Sequence, residues 1–397
     1  MKICHLSSFL PKYHKLWGGA EMAALRLAQA QTKAGHKVDF LIARPEQQVQ
    51  EDFSVHVLAT VEDYVPGLLK RFFDLLKRWF LPFDLLTFVH SYLVLKKLSP
   101  DIVHVHNVKS LSLAVVLAAK LCGLKVIFSI YDYWLFCPKE TLVSRQWGVF
   151  AYLRQIFFRP FIAMVNAFLV LSESSADILK ESGIGPDKIE KIHLSFDLNK
   201  FPAYGLQEVV RGRILYVGWL QPRKGLHILI RAMTDVLKHS PSASLRVIGA
   251  TEDSVYLLEI KKLIKEQQLE SVVKILGKVD DGCLQKELKQ ANVIVIPEQW
   301  PNMSPLFLIE SMSYAKPVVA GRIGGLPEFI RDGENGYLFE PQAESELAAK
   351  IIKIFSDPEK ARQMGEQARH DVFGLCDEKT NLAKIEALYR KVNDNVK

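Results

Sequence analysis

The sequence is defined first by what it lacks. Its five cysteines, Cys4, Cys122, Cys137, Cys283 and Cys376, are odd in number, scattered, and form no Cys-x-x-Cys. That excludes a disulfide scaffold and argues against a zinc site; reduced thiols of a cytosolic protein are the simplest reading. No uncharged apolar run reaches the ~18 residues that would span a bilayer. The first apolar stretch is broken by Pro11 and Lys12, which is not a secretory signal pattern. There is no low-complexity tract and no repeat at solenoid period. Nor is there a nucleic-acid recognition motif beside the basic residues, so no nucleic acid is expected as a partner.

What is present is globular. The 397 residues are 49% apolar and 24% charged, enough for two domains with sizeable cores. The net charge of +7 is uneven. Residues 1–200 carry 24 Lys/Arg against 18 Asp/Glu, leaving 27 against 26 for residues 201–397. A basic, aromatic-rich first half points to an anionic ligand or surface there.

Short apolar runs alternate with helical patterns twice over. KICHLSSF, KVDFLIA, DIVHVHN, KVIFSIY, AFLVLSE and KIHLS read as strands in the first half, with helices over Ala20–Gln31, Leu111–Leu121 and Ser174–Glu181. RILYVG, SLRVIG, VVKILG, VIVIP and PVVAG follow in the second, with helices starting near Gly225, Asp253, Asp281, Pro305 and Ala343. Near-continuous β-branched runs separated by helices predict an α/β fold of two doubly wound parallel sheets. The expected domains are 1–200, 208–375 and a closing helix over 376–397, with the joint near Asn199–Arg213. Ligands of such sheets bind at the strand C-termini, so two sheets facing each other predict a central cleft.

Two loops carry the strongest chemical signal. After VIVIP comes a polar loop and a helix starting near Pro305, with Ser304 expected to cap it. Its free N–H groups form an anion site, and Glu310, two turns in, could receive sugar or ribose hydroxyls. In YVGWLQPRKGLHILIRAM, a strand ends at Gly218 and a loop presents Arg223 and Lys224, cations suited to the charge on a leaving diphosphate. In the first half, Gly18-Gly19 precedes a helix, which lets backbone approach a ligand. His106, Tyr131 and Asp132 stand at strand ends. His104, by strand alternation, reads as a buried structural histidine, and Cys137 as packing.

Together these segments resemble the retaining glycosyltransferases of family 4, with the GT-B architecture of two Rossmann-like domains. The resemblance rests on Gly18-Gly19-x-Glu21, Asp101-x-x-His104-x-His106, Tyr131-Asp132-Tyr133-Trp134 with Cys137-Pro138, Lys224-Gly225, Asn302-x7-Glu310 and Gly324-Gly325-Leu326-Pro327-Glu328. It implies transfer of a sugar from a UDP- or GDP-sugar donor to a hydroxyl of a glycan or lipid-linked acceptor, in cell-surface polysaccharide synthesis. It gives Glu310 to the ribose, and the backbone of Met303, Ser304, Pro305 and Leu306 to the donor sugar and diphosphate. Gly18, Gly19, Glu21, His106 and Tyr131 fall on the acceptor side, and Asp132 joins Lys224, Arg223 and Asn302 in the catalytic set. No Asp-x-Asp occurs, so no metal and no other cofactor is expected.

Three positions depart from the family pattern. Tyr131 replaces a histidine, Trp219 an arginine and Asn302 the first glutamate of Glu-x7-Glu. Arg223 is the candidate substitute for the missing arginine, and nearby Glu298 a candidate to compensate at 302. These departures motivate an alternative, a catalytically weakened sugar-nucleotide-binding subunit working with a partner enzyme. A GT-B epimerase fits less well.

Residues 64–97 place Lys70, Arg71, Lys77 and Arg78 among Leu, Phe and Trp79, and Arg145–Phe161 is similar. Such segments either lie in the interface of an anionic leaflet or fill a core with long cations at its edge. The charge asymmetry favours the first: a cytoplasmic protein held peripherally on the inner face of the membrane through residues 64–97.

Overall fold

The structure, a computed structural model, describes the chain apart from residues 16, 48, 68, 70–71, 74–81, 137–147, 204–207, 252, 305 and 395–397, and apart from the side chains of 148–154. Lys70, Arg71, Lys77, Arg78, Trp79, Cys137, Pro138 and Pro305 therefore lie outside the described residues. The chain divides into two compact units: Met1–Phe196 together with Glu378–Lys397, and Asp197–Asp377.

The first unit is built on seven parallel strands, β1 (Lys2–Leu6), β2 (Lys37–Ile42), β3 (Ser54–Val57), β4 (Ile102–Val105), β5 (Lys125–Ser129), β6 (Ala167–Val170) and β7 (Ile189–Lys191), in the order 3-2-1-4-5-6-7. The central strands are buried along their length, β4 and β6 completely. A sheet covered by helices on both faces demands this. The helices are α1 (Gly19–Lys33), α2 (Leu85–Leu98), α3 (Ala114–Leu121), α4 (Gly148–Met164) and α5 (Glu173–Glu181).

The second unit repeats the plan with six parallel strands, β8 (Arg213–Val217), β9 (Ser244–Ile248), β10 (Val273–Gly277), β11 (Val293–Ile296), β12 (Val318–Gly321) and β13 (Tyr337–Phe339), in the order 10-9-8-11-12-13. Its helices are α6 (Leu226–His239), α7 (Ser254–Glu266), α8 (Asp281–Gln290), α9 (Leu306–Ser313), α10 (Leu326–Phe329), α11 (Glu344–Ser356) and α12 (Pro358–Cys376). Helix α6 buries Leu226, Leu229, Ile230, Met233 and Val236, one face at helical spacing, in a core shared with Ile214, Val295, Phe339 and Ile351. The last helix, α13 (Glu378–Asp394), belongs to the first unit and buries Ile385, Leu388, Tyr389 and Val392.

In both sheets the strand order reverses between the first and fourth strands, β1/β4 and β8/β11. Crossovers leave such a point in opposite directions, opening a crevice beyond the strand C-termini where ligands of this fold bind.

Several expectations from the sequence shift. KIHLS is not the seventh strand; the pairing segment is Ile189–Lys191, two residues earlier, a short and partly exposed edge. The short strands β3 and β13 carry too few residues to show a period. Helix α3 starts at Ala114 rather than Leu111, because Ser112 takes a left-handed conformation (φ 64°) that a helix excludes.

Candidate functional site

The β8/β11 switch point collects the charged loop residues of the second unit. β8 ends at Val217. Gly218 then donates its N–H to the Ile248 carbonyl (3.0 Å), and the chain turns through Pro222–Lys224 into Gly225. Gly225 caps α6 with φ 71°, and a Cβ there would overlap the Pro297 carbonyl. Only glycine permits both the backbone sign and this approach. The Arg223 carbonyl accepts the N–H of Gln299 (2.8 Å), so the two loops are tied by main chain.

A second tie comes from the Gly324-Gly325 turn. Gly325 N–H donates to the Asn302 carbonyl (2.7 Å), and Gly324 (φ 60°) packs so closely on Asn302 that a Cβ would strike its backbone. The segment Pro297–Ser304 is thus held between two glycine turns. This is why motifs separated by about eighty residues converge.

The convergence centres on Glu298, which is 4% exposed. Its Oε1 accepts from the Lys224 ammonium (2.6 Å) and from the Asn302 amide (2.9 Å). The Arg223 guanidinium lies over the Trp300 ring (4.8 Å to its centre) and Lys224 near it (5.4 Å), cation–π contacts on a buried indole. Arg223 also donates Nε–H to Gln221 (2.9 Å). Sequence reasoning did not single out Trp300. An aromatic two residues past a carboxylate at a strand end was the available signal.

This loop is under-satisfied. Glu298 Oε2, Gln299 Oε1 and the Ser304 hydroxyl are buried without a hydrogen-bond partner in the structure. Each such atom costs about 1–3 kcal/mol, a cost a ligand with hydroxyls can remove. The expected Ser304 cap is corrected here: its hydroxyl accepts no helix N–H. The approach to α9 is fixed instead by the Asn302–Gly325 bond. Met303 is buried, Leu306 opens α9, and Glu310 sits half-buried in its second turn. Trp219, at the position of the expected arginine, offers its carbonyl to the Tyr216 hydroxyl (3.1 Å) and no charge.

At the β1/β4 switch point of the first unit, Gly18 is the N-cap of α1 and Gly19 its first residue. Glu21 is buried with both oxygens engaged, one by Gly18 N–H (2.8 Å), the other by the Asn107 amide (2.7 Å). It reaches back to the N-cap N–H, the glutamate half of a capping box, and pins the loop after β4. Asp132 pairs with Lys109 (2.7 Å) and accepts from Trp134 N–H (2.8 Å).

His106 does not stand alone. It belongs to a group with His5 and His104, all fully buried, whose ring nitrogens lie within 4.8 Å of one another. The group lies along a chain of hydrogen bonds that runs from Tyr131 to Ser129. Gln31 Nε2 donates to Tyr389 (3.1 Å), Tyr389 to His104 Nδ1 (2.6 Å), and His104 Nε2 to Ser129 (2.7 Å). Tyr131 donates to His106 Nδ1 (3.1 Å), His106 Nε2 to His5 Nδ1 (2.8 Å), and His5 Nε2 to Gln31 Oε1 (2.7 Å). With the Gln31 amide in this orientation, each neutral histidine has one donor and one acceptor, and every donor points the same way along the chain.

Burial holds the three rings neutral. His5 is pushed down to about 4, and His104 and His106 fall well below the usual range through burial and then through their neighbours. Burial likewise raises Tyr131 and Tyr389. The three histidines are a possible ligand set for a metal ion, yet each nitrogen already has a partner that an ion would displace. His5, Gln31 and Tyr389 carry no motif; the third comes from the far end of the chain.

Comparison with known proteins agrees with this geometry. Residues 17–200 match the family model Glycosyltransferase Family 4, and residues 209–371 match Glycosyl transferases group 1. The chain shares the GT-B fold of two Rossmann-like sheets with solved glycosyltransferase structures. It belongs to the family 4 glycosyltransferases.

Among curated relatives, it is 27% identical over 256 residues to the MMP alpha-(1->4)-mannosyltransferase of Mycolicibacterium hassiacum, covering 64% of this chain and 59% of that protein. It is 27% identical over 233 residues to the D-inositol 3-phosphate glycosyltransferase of Streptomyces bingchenggensis, covering 53% and 49%. The chain thus spans about half the length of the curated relatives it matches. Sucrose-phosphate synthase from Thermosynechococcus elongatus superposes with a TM-score of 0.79 at 21% identity, covering 99% of each chain. Anabaena HepE in complex with UDP-glucose superposes with a TM-score of 0.76 at 19% identity, covering 98% of this chain and 100% of that one.

Proposed function

We propose that the protein is a retaining glycosyltransferase that takes a sugar from a nucleoside diphosphate donor and passes it to a hydroxyl of a glycan or lipid-linked acceptor. The observation that carries this reading is the under-satisfied, cationic loop at the β8/β11 switch point. Lys224 and Arg223 supply fixed positive charge for a diphosphate leaving group. Asn302, Glu298 and Ser304 supply buried polar atoms for sugar hydroxyls, and Glu310 is the group for the ribose. The donor side is thus assigned to the second unit. The acceptor side, with Gly18, Gly19, Glu21, His106 and Tyr131, is assigned to the first, which also carries Asp132 of the catalytic set.

With side-chain cations at the diphosphate, transfer is expected to proceed without a divalent ion, so chelator leaves turnover unchanged. Binding of UDP, GDP and ADP, each followed by thermal shift, identifies the base. Product analysis with the matching sugar nucleotides and a panel of acceptors then tests transfer. Binding of a nucleoside diphosphate sugar with no transfer or hydrolysis for any acceptor would replace this reading with that of a binding subunit.

The same reading places the protein in polysaccharide synthesis at the inner face of a membrane. No described helix is long and apolar enough to cross one. Support comes from α2, which buries Thr87, Ser91 and Leu95 and exposes Leu85, Leu86, Val89 and Leu93 on one face, with Lys96 and Lys97 in its last turn. A helix that turns its apolar face outward beside cations suits an anionic lipid interface. Replacing the four apolar residues with Gln, or neutralising Lys70, Arg71, Lys77 and Arg78, is expected to abolish sedimentation with phosphatidylglycerol vesicles. Unchanged sedimentation of both variants would remove the membrane from the picture.

A further inference from the structure

We infer that Glu298 is the carboxylate that orients the transferred sugar, displaced by four residues from the position where Asn302 now stands. This rests on the second unit being the donor unit, and it names a residue that the Asn302-x7-Glu310 spacing does not contain.

The argument begins with the four lone-pair sites of a carboxylate. Glu298 is buried, yet only Oε1 is used, by Lys224 and by Asn302. A buried carboxylate oxygen with no partner leaves part of the desolvation of the charge uncompensated. Here Oε2 has no partner in the structure, and neither has the Ser304 hydroxyl, six residues on in the same loop. Two unpartnered buried polar atoms in one loop, one accepting only and one able to do both, match the donor-and-acceptor character of sugar hydroxyls.

The Asn302 amide explains the displacement. A glutamate at 302 would put a second carboxylate against Glu298, and like charges at that separation disfavour each other's ionised form. An amide there can donate to Glu298 and holds it in place. One residue supplies charge and the other supplies orientation.

Lys224 connects the two halves of the substrate. It has three N–H donors and uses one on Glu298, so it can hold a phosphate oxygen while still bonded to the carboxylate. The ligand this arrangement takes is a nucleoside diphosphate hexose with unmodified hydroxyls. The bare nucleotide leaves Glu298 Oε2 unpaired.

The test compares the affinities for UDP and UDP-glucose, and for GDP and GDP-mannose, by calorimetry in the wild type, Glu298→Gln, and Glu298→Gln combined with Asn302→Glu. For the pair that binds, Glu298→Gln is expected to weaken the sugar nucleotide at least tenfold relative to its nucleoside diphosphate, with the diphosphate itself held as well as before or better. The double variant, which returns the carboxylate to position 302, is expected to recover most of the loss. An unchanged ratio in Glu298→Gln, or equal loss of both ligands, overturns the inference while leaving the donor reading intact. Failure of every nucleotide to bind the wild type removes the donor reading itself, and the inference with it.

Discussion

The two units put their buried polar groups to opposite use. In the first, seven side chains from α1, β1, β4, β5, the loops after β4 and β5, and α13 form a chain of hydrogen bonds in which each ring nitrogen of its three histidines is bonded. In the second, the loop from Pro297 to Ser304 leaves three buried polar atoms without partners. A satisfied network rigidifies its surroundings and asks nothing of a ligand. An unsatisfied one is stabilised when a ligand arrives. The comparison teaches that two equally buried polar clusters can differ in how completely they are paired, and the less completely paired one lies in the unit proposed to hold the donor. His106, read from sequence as an acceptor-side residue, is joined within that chain to Tyr131, a second acceptor-side candidate.

The sharpest way to break this comparison is at the open loop. Lys224→Ala is expected to lower donor turnover by about 100-fold or more, since it removes the fixed charge at the leaving group. Release of UDP or GDP from the preferred donor measures it, and unchanged release would show that the diphosphate lies elsewhere.

The buried histidines should reveal themselves through pH. The histidines titrate lower in the folded than in the unfolded chain, so the unfolded state binds more protons below pH ~6.5 and stability is lost as pH falls from there towards pH ~4. His5 alone contributes about 3 kcal/mol between pH 7 and pH 4. Urea unfolding of the chain across this range is the measurement, and a flat profile contradicts neutral burial.

Breaking the chain by Tyr389→Phe is expected to cost about 2 kcal/mol, because it strands His104 Nδ1 and the Gln31 amide. Nucleotide affinity should not change, which separates this from any lesion in the donor loop. The smallest effect is the most discriminating. Ser304→Ala removes an unpaired hydroxyl, so the ligand-free protein should be unchanged or more stable, by up to about 1 kcal/mol, while the sugar nucleotide binds less tightly. Thermal unfolding with and without donor reads both signs at once.

Much of the fold was legible before any coordinates. Ten of the apolar runs pair as strands close to where their β-branched residues predicted, because burial on both sheet faces demands long apolar segments. Helix starts at Gly225, Asp253 and Ala343 fell one residue before the observed first helical residue, because cap chemistry is local. The charged residues of the β8/β11 switch point were legible too, since the β8 and β11 loops carry their charges within a few residues of a strand end. Trp300 and the bond from Glu298 to Lys224 were not, since they depend on Gly225 and Gly324 drawing separate loops together.

The sequence by itself determined two parallel-sheet units, the switch-point loops and the cations set in one of them, because periodicity and strand-end chemistry are written in short stretches of chain. Only the tertiary structure decided which buried polar groups are paired. Tyr389 reaches His104 across 285 residues, and Glu298 meets Lys224 across 74. Hydrogen-bond satisfaction is a property of places where distant segments meet, and no local pattern records it.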